Sequence, residues 1–95
     1  MAAYLYGNVQ VIDPVGFQEY SKHVPEAVAA YGGRYLARGG AVELLEGDGA
    51  PNRVVIVEFP DMARLKAFYQ SEEYRPLLDI RKRTATSKIV AVEGL

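Results

Sequence analysis

The sequence predicts an α+β domain of βαββαβ order, with one four-stranded antiparallel sheet carrying helices on one face. Three observations lead there. Segments rich in β-branched and aromatic residues at 4–12, 34–38, 53–59 and 86–93 alternate with helical stretches opened by Asp13-Pro14 and Pro60-Asp61. Two glycine pairs, Gly32-Gly33 and Gly39-Gly40, bracket the short second strand. Val54-Val55-Ile56-Val57 and Ile89-Val90-Ala91-Val92 are apolar on both faces, unlike the alternation of a sheet with one wet side.

Each element has a local reason. In the first strand Tyr4, Tyr6, Asn8 and Gln10 alternate with Leu5, Gly7, Val9 and Val11. Asp13 can accept from free backbone N–H groups of a helix, and Pro14 suits the first helical position, where its missing N–H is not needed. Phe17, Tyr20, Val24, Ala27 or Val28, and Tyr31 then build an apolar stripe, with a kink or restart expected at Pro25. Gly32-Gly33 supplies a left-handed stop. After the strand at 34–38, Gly39-Gly40 is expected to form a bulge, with pairing resumed over 42–46 and a hairpin turn at 47–52. Asp61 caps a helix that turns Leu65, Phe68 and Tyr69 inward. Ser71-Glu72-Glu73 caps a further helical segment bearing Tyr74, Leu77, Leu78 and Arg81.

The two-sided apolar strands bear on assembly. Helices can cover one face of a single sheet, and the other would expose an apolar patch unless something covers it. The simplest cover is the same face of a second copy, so a homodimer is expected.

Composition bounds the function. The chain has 95 residues, 49% of them hydrophobic, a formal net charge of −1 and no cysteine. One domain spanning 1–95 follows from that length. The charge argues against a nucleic-acid partner, which basic patches would attract. The lack of cysteine excludes disulfides and thiolate metal sites. No apolar run is long enough to span a membrane, and no secretory leader is visible, so a cytoplasmic protein without a membrane partner is expected.

Taken together, Tyr31-Gly-Gly-Arg-Tyr-Leu-Ala-Arg-Gly-Gly40, Glu46-Gly47, Arg53-Val-Val-Ile-Val-Glu-Phe-Pro-Asp61, Phe68-Tyr-Gln-Ser-Glu-Glu-Tyr74 and Arg81 resemble the DUF1330 family over nearly the whole chain. Asp61 departs from a frequent serine there, and either residue caps a helix. The resemblance implies a ferredoxin-like fold that pairs as a dimeric α/β barrel. It implies no reaction, because the family has no established one, and the superfamily ranges over cofactor-free monooxygenases, haem-binding proteins and small isomerases.

Candidate chemistry is sparse. Glu58 sits in the most apolar strand, where desolvation would raise its pKa toward a value useful for proton transfer. The expected hairpin register puts Arg38 near it and Arg34 further along, so Glu58 is a catalytic candidate or half of a structural ion pair. His23, the only histidine, is a second catalytic candidate, or a solvated helix residue. With no second histidine and no carboxylate–histidine spacing on one helix face, no metal site is expected, and no cofactor is assigned. Among seven tyrosines, Tyr20 and Tyr69 are the candidates to line a pocket between helices and sheet, with Arg34 and Arg38 as ligand-binding cations. Arg75, Arg81, Lys82 and Arg83 complement a helix end.

Three readings compete. The first is a dimeric domain that binds or transforms a small organic ligand between sheet and helices. The alternative is a non-catalytic dimerisation or interaction module. The third, an RNA-binding sheet, lacks both the aromatic strand pattern and the charge.

Overall fold

The computed structural model describes residues 1–49 and 51–95. The elements are β1 (Ala3–Val11), α1 (Pro14–Ala30), β2 (Arg34–Arg38), β3 (Arg53–Phe59), α2 (Met62–Tyr69), α3 (Arg75–Thr84) and β4 (Ala85–Glu93). The strands form one four-stranded antiparallel sheet in the order β2-β3-β1-β4, as the sequence predicts.

Helix boundaries follow their caps. The Asp13 carboxylate accepts from the Gly16 N–H at 3.2 Å, with Pro14 beginning α1. Asp61 accepts from the Arg64 N–H at 2.7 Å to open α2. The Ser71 hydroxyl donates to the Phe68 carbonyl at 2.7 Å and accepts from the Tyr74 N–H at 3.1 Å, which joins α2 to α3. Gly32, at φ +79°, turns the chain out of α1, and the Gly33 N–H closes the end on the Val28 carbonyl.

The helices cover one face of the sheet. Ala3, Leu5, Val57 and Phe59 from the strands meet Val24, Ala27, Val28, Leu65, Phe68 and Tyr74 in one core. The period of two then sends Tyr4, Tyr6, Val54, Ile56, Glu58, Val90 and Val92 to the opposite face, where register sets Tyr6 between Ile56 and Val90. Val90 and Val92 are exposed there.

Three local expectations need correction. The second strand does not resume over 42–46; the Gly39 N–H makes the last rung, to the Val54 carbonyl, and Val42, Leu44 and Leu45 are exposed. The irregularity lies between Tyr35 and Ala37, not at Gly39-Gly40. It reverses the facing of the rest of β2: Arg34 opposes Glu58, whereas Arg38 opposes Val55 and faces the helices. Pro25 does not end α1, which continues through it to Ala30. The turn expected at 47–52 includes Ala50, which lies outside the described residues.

Candidate functional site

A cavity of about 50 Å³ lies between the covered face of the sheet, α1 and α3. Gly7 is part of its wall. Both strand neighbours of Gly7 are large, Val55 and Ile89, and a Cβ on Gly7 would stand 3.1 Å from the Ile89 Cδ1. A glycine inside a central strand weakens the strand but leaves space for a close approach. Leu5, Val9, Phe17, Val24, Val57 and Phe68 complete a mostly apolar lining.

Polar groups enter that lining from four elements, α1, β2, β3 and α3. Tyr20 on α1 and Tyr74 at the start of α3 join hydroxyl to hydroxyl at 2.8 Å. Burial, then the proximity of Tyr74, pushes the Tyr20 phenol well above its ordinary pKa, so it stays protonated. Tyr35 on β2 is likewise raised by burial, against the opposing pull of Arg38.

Arg81 on α3 is the least expected member. It shares a helical stripe with Tyr74 and Leu78, so its side chain enters the interior and is 4% exposed. One Nη donates to the Tyr69 hydroxyl at 3.2 Å, and the guanidinium carbon lies 5.9 Å from the Tyr20 ring centroid. The Nε, fully buried, has no acceptor among the described residues. Among those residues no acidic side chain lines the cavity. A buried guanidinium is ordinarily matched by an anion, and none is present among the described residues of the wall.

Arg38 also lines the cavity, and the reason lies in α1. Pro25 has no N–H, so the Ser21 carbonyl four residues back loses its helical donor. The Arg38 guanidinium donates to that carbonyl and stacks over Tyr35 at 4.9 Å. Pro25, read from sequence as a helix disruption, thus provides the acceptor that holds a cavity arginine. Arg53, over the Phe17 ring at 5.8 Å, is a third lining cation.

The other candidates lie elsewhere. Glu58 is on the uncovered face, not beside the cavity. Its Oε1 accepts from the Arg34 Nε at 2.7 Å and its Oε2 from the Tyr4 hydroxyl at 3.1 Å. The expected partnership with Arg38 is therefore replaced by one with Arg34, because the β2 irregularity sends the two arginines to opposite faces. The expected rise in its pKa is reversed as well: the hydrogen bond from Arg34, then that from Tyr4, holds the carboxyl below its ordinary value. His23 is exposed on α1, 3.8 Å from Glu19 and away from the cavity. Tyr69 does not line the cavity but holds Arg81 from outside it. Of the residues anticipated for a site, the structure gathers Tyr20 and Arg38 there. Arg81, Tyr74, Tyr35, Arg53 and Gly7 join them, and the placement of Arg81 on the apolar stripe of α3 was the sequence signal for the most telling one. No cluster of three or more metal-ligating side chains occurs among the described residues. No described helix is long and apolar enough to cross a membrane.

The topology and its one-sided helical layer define a ferredoxin-like α+β protein. The chain belongs to the family described as domain of unknown function DUF1330, whose model matches residues 2–95. No curated protein sequence matches it. Among solved structures, it is similar to RPA0582, a protein of unknown function from Rhodopseudomonas palustris, with 19% identity and a TM-score of 0.80 over 99% of this chain and 82% of that one. SnoaB, a cofactor-independent oxygenase from Streptomyces nogalater, matches with 15% identity and a TM-score of 0.71 over 99% and 93% of the two chains. A dimeric ferredoxin-like protein of unknown function from Jannaschia sp. CCS1 matches with 11% identity and a TM-score of 0.72 over 99% and 100%. At these identities the likeness is one of fold.

Proposed function

We propose that this protein is a homodimer that binds a small organic ligand in the cavity between the helices and the sheet. The observation that carries the reading is Arg81: a buried guanidinium with an unused Nε, beside an apolar hollow whose described wall holds no acid. A purely structural arginine in that position would normally be neutralised or replaced by an apolar residue of similar size. Retaining it there fits a ligand that completes the site. SnoaB gives catalysis a precedent in this fold, but no reaction is assigned to this chain.

Dimerisation rests on the uncovered face. Tyr6, Val54, Ile56, Val90 and Val92 form an apolar patch there, and the similar chain from Jannaschia is described as dimeric. A thermal-shift screen with small organic compounds tests the ligand: binding at about 100 times Kd stabilises by about 2.7 kcal/mol. A broad library that yields no stabilising compound would remove the ligand-binding reading and leave the dimerisation module. Sedimentation equilibrium tests the dimer, and a stable monomer at micromolar concentration would refute it.

A further inference from the structure

We infer that the ligand of this cavity is a small monocarboxylate with an apolar body, and that Arg81 holds its carboxylate. The inference rests on the cavity being the ligand site and adds the chemistry of what enters it.

The donors are in surplus. Arg81 is 4% exposed and its Nε has no acceptor among the described residues. The two salt bridges found among those residues, His23–Glu19 and Arg34–Glu58, lie elsewhere. Holding a guanidinium in a poorly solvated interior without a counter-charge is costly, and an entering anion supplies both the acceptor and the charge. The tyrosine pair adds a second donor. Two phenols joined by one hydrogen bond use one of their two protons, so one O–H remains to donate. Burial keeps Tyr20 protonated, so the pair acts as a neutral donor beside Arg81.

A carboxylate matches that set, because its two coplanar oxygens can take a guanidinium N–H and a hydroxyl together. A phosphate matches less well: the sequence has no glycine-rich phosphate loop, and its remaining oxygens would face Leu5, Val55, Val57 and Phe68. Those apolar groups choose a hydrocarbon body. The volume of about 50 Å³ sets a small size, well under the roughly 300–1,000 Å³ of sites for drug-sized ligands.

Isothermal titration of the intact protein at neutral pH tests this with acetate and propionate, each against its uncharged amide. At least one acid is expected to bind with Kd at least about tenfold below that of its amide. The Arg81→Met variant is expected to lose that preference while remaining folded. Equal binding of acid and amide would overturn the carboxylate and leave the cavity standing as a ligand site. If neither acids nor amides bind, the carboxylate inference falls, and the thermal-shift screen decides whether the cavity reading falls with it. A folded Arg81→Met protein that keeps the preference would overturn the role of Arg81. Should that variant not fold, the acid–amide comparison on the unaltered protein still decides.

Discussion

The two faces of this sheet are drawn from alternate residues of the same strands, yet they treat charge in opposite ways. On the uncovered face Glu58 has both oxygens engaged, one by Arg34 and one by Tyr4. On the covered face Arg81 has a buried nitrogen with no acceptor among the described residues, beside a hollow that none of their carboxylates enters. An ionisable group among valines is therefore a poor guide to a site by itself. The informative state is incompleteness: a satisfied ion pair has its partners already, and an unsatisfied buried cation still has an acceptor to gain.

The most forceful test of this asymmetry is to remove one large apolar group from each face. Phe59 is fully buried against Phe68, with ring centroids 5.4 Å apart, whereas Val92 is 52% exposed in the single chain. Phe59→Ala is expected to cost about 3–5 kcal/mol in urea unfolding. Val92→Ala is expected to cost far less within the chain and to act mainly on association, so its effect should grow with protein concentration. A Val92→Ala loss as large as that of Phe59→Ala, and independent of concentration, would break the distinction between the faces.

A gentler and more pointed test replaces the incomplete cation itself. If Arg81 is held for a ligand, the free protein carries an uncompensated charge, and Arg81→Met should stabilise it by on the order of 1 kcal/mol. If the arginine is a structural strut, losing its bond to Tyr69 should destabilise instead. Chemical denaturation without any ligand separates the two by sign alone.

Why some of this was legible and some was not comes down to the residues themselves. Helix starts at Asp13 and Asp61 are local chemistry, and the capping carboxylates are where the sequence puts them. The order of elements and the two-sided strands were readable because side-chain period and glycine punctuation reflect burial directly. The site was only half readable. A single irregularity between Tyr35 and Ala37 exchanged the facing of Arg34 and Arg38, and register of that kind depends on the partner strand. Arg81 was visible on the stripe of Tyr74 and Leu78, but helix-end electrostatics explained it equally well until its burial and missing acceptor were known. The Pro25–Ser21–Arg38 relation joins residues on two elements and could not be seen along one.

Gly32 lies where the chain passes from the helical layer to the sheet, so a change there should trouble neither face in particular. Its φ of +79° disfavours any side chain, and a Cβ would stand 3.1 Å from the Pro60 Cγ. Gly32→Ala is expected to cost about 1 kcal/mol, with ligand binding and association unchanged in the folded protein. Guanidinium unfolding measures the cost, and an unchanged midpoint would show that the left-handed stop is dispensable.

The smallest effect belongs to the completed pair on the uncovered face, and its sign can be worked out. Arg34 and then Tyr4 hold the folded Glu58 carboxyl below its ordinary value of 4.5. The folded state therefore binds that proton less readily than the unfolded chain does. The resulting stability is present above the unfolded pKa and is lost as pH falls through the folded one. Glu58→Gln should be slightly less stable than the parent at neutral pH, because Arg34 is 72% exposed and solvent screens the pair. The gap should close as the solution is acidified below about pH 4.5, where the parent loses the same charge. Thermal denaturation of both proteins across that range gives the two curves. Curves that stay parallel to low pH would mean that the Glu58 charge contributes nothing and that the uncovered face is held by its apolar groups alone. If Glu58→Gln also weakened carboxylate binding in the cavity, the two faces would be coupled through β3, and the separation between them would have to be abandoned.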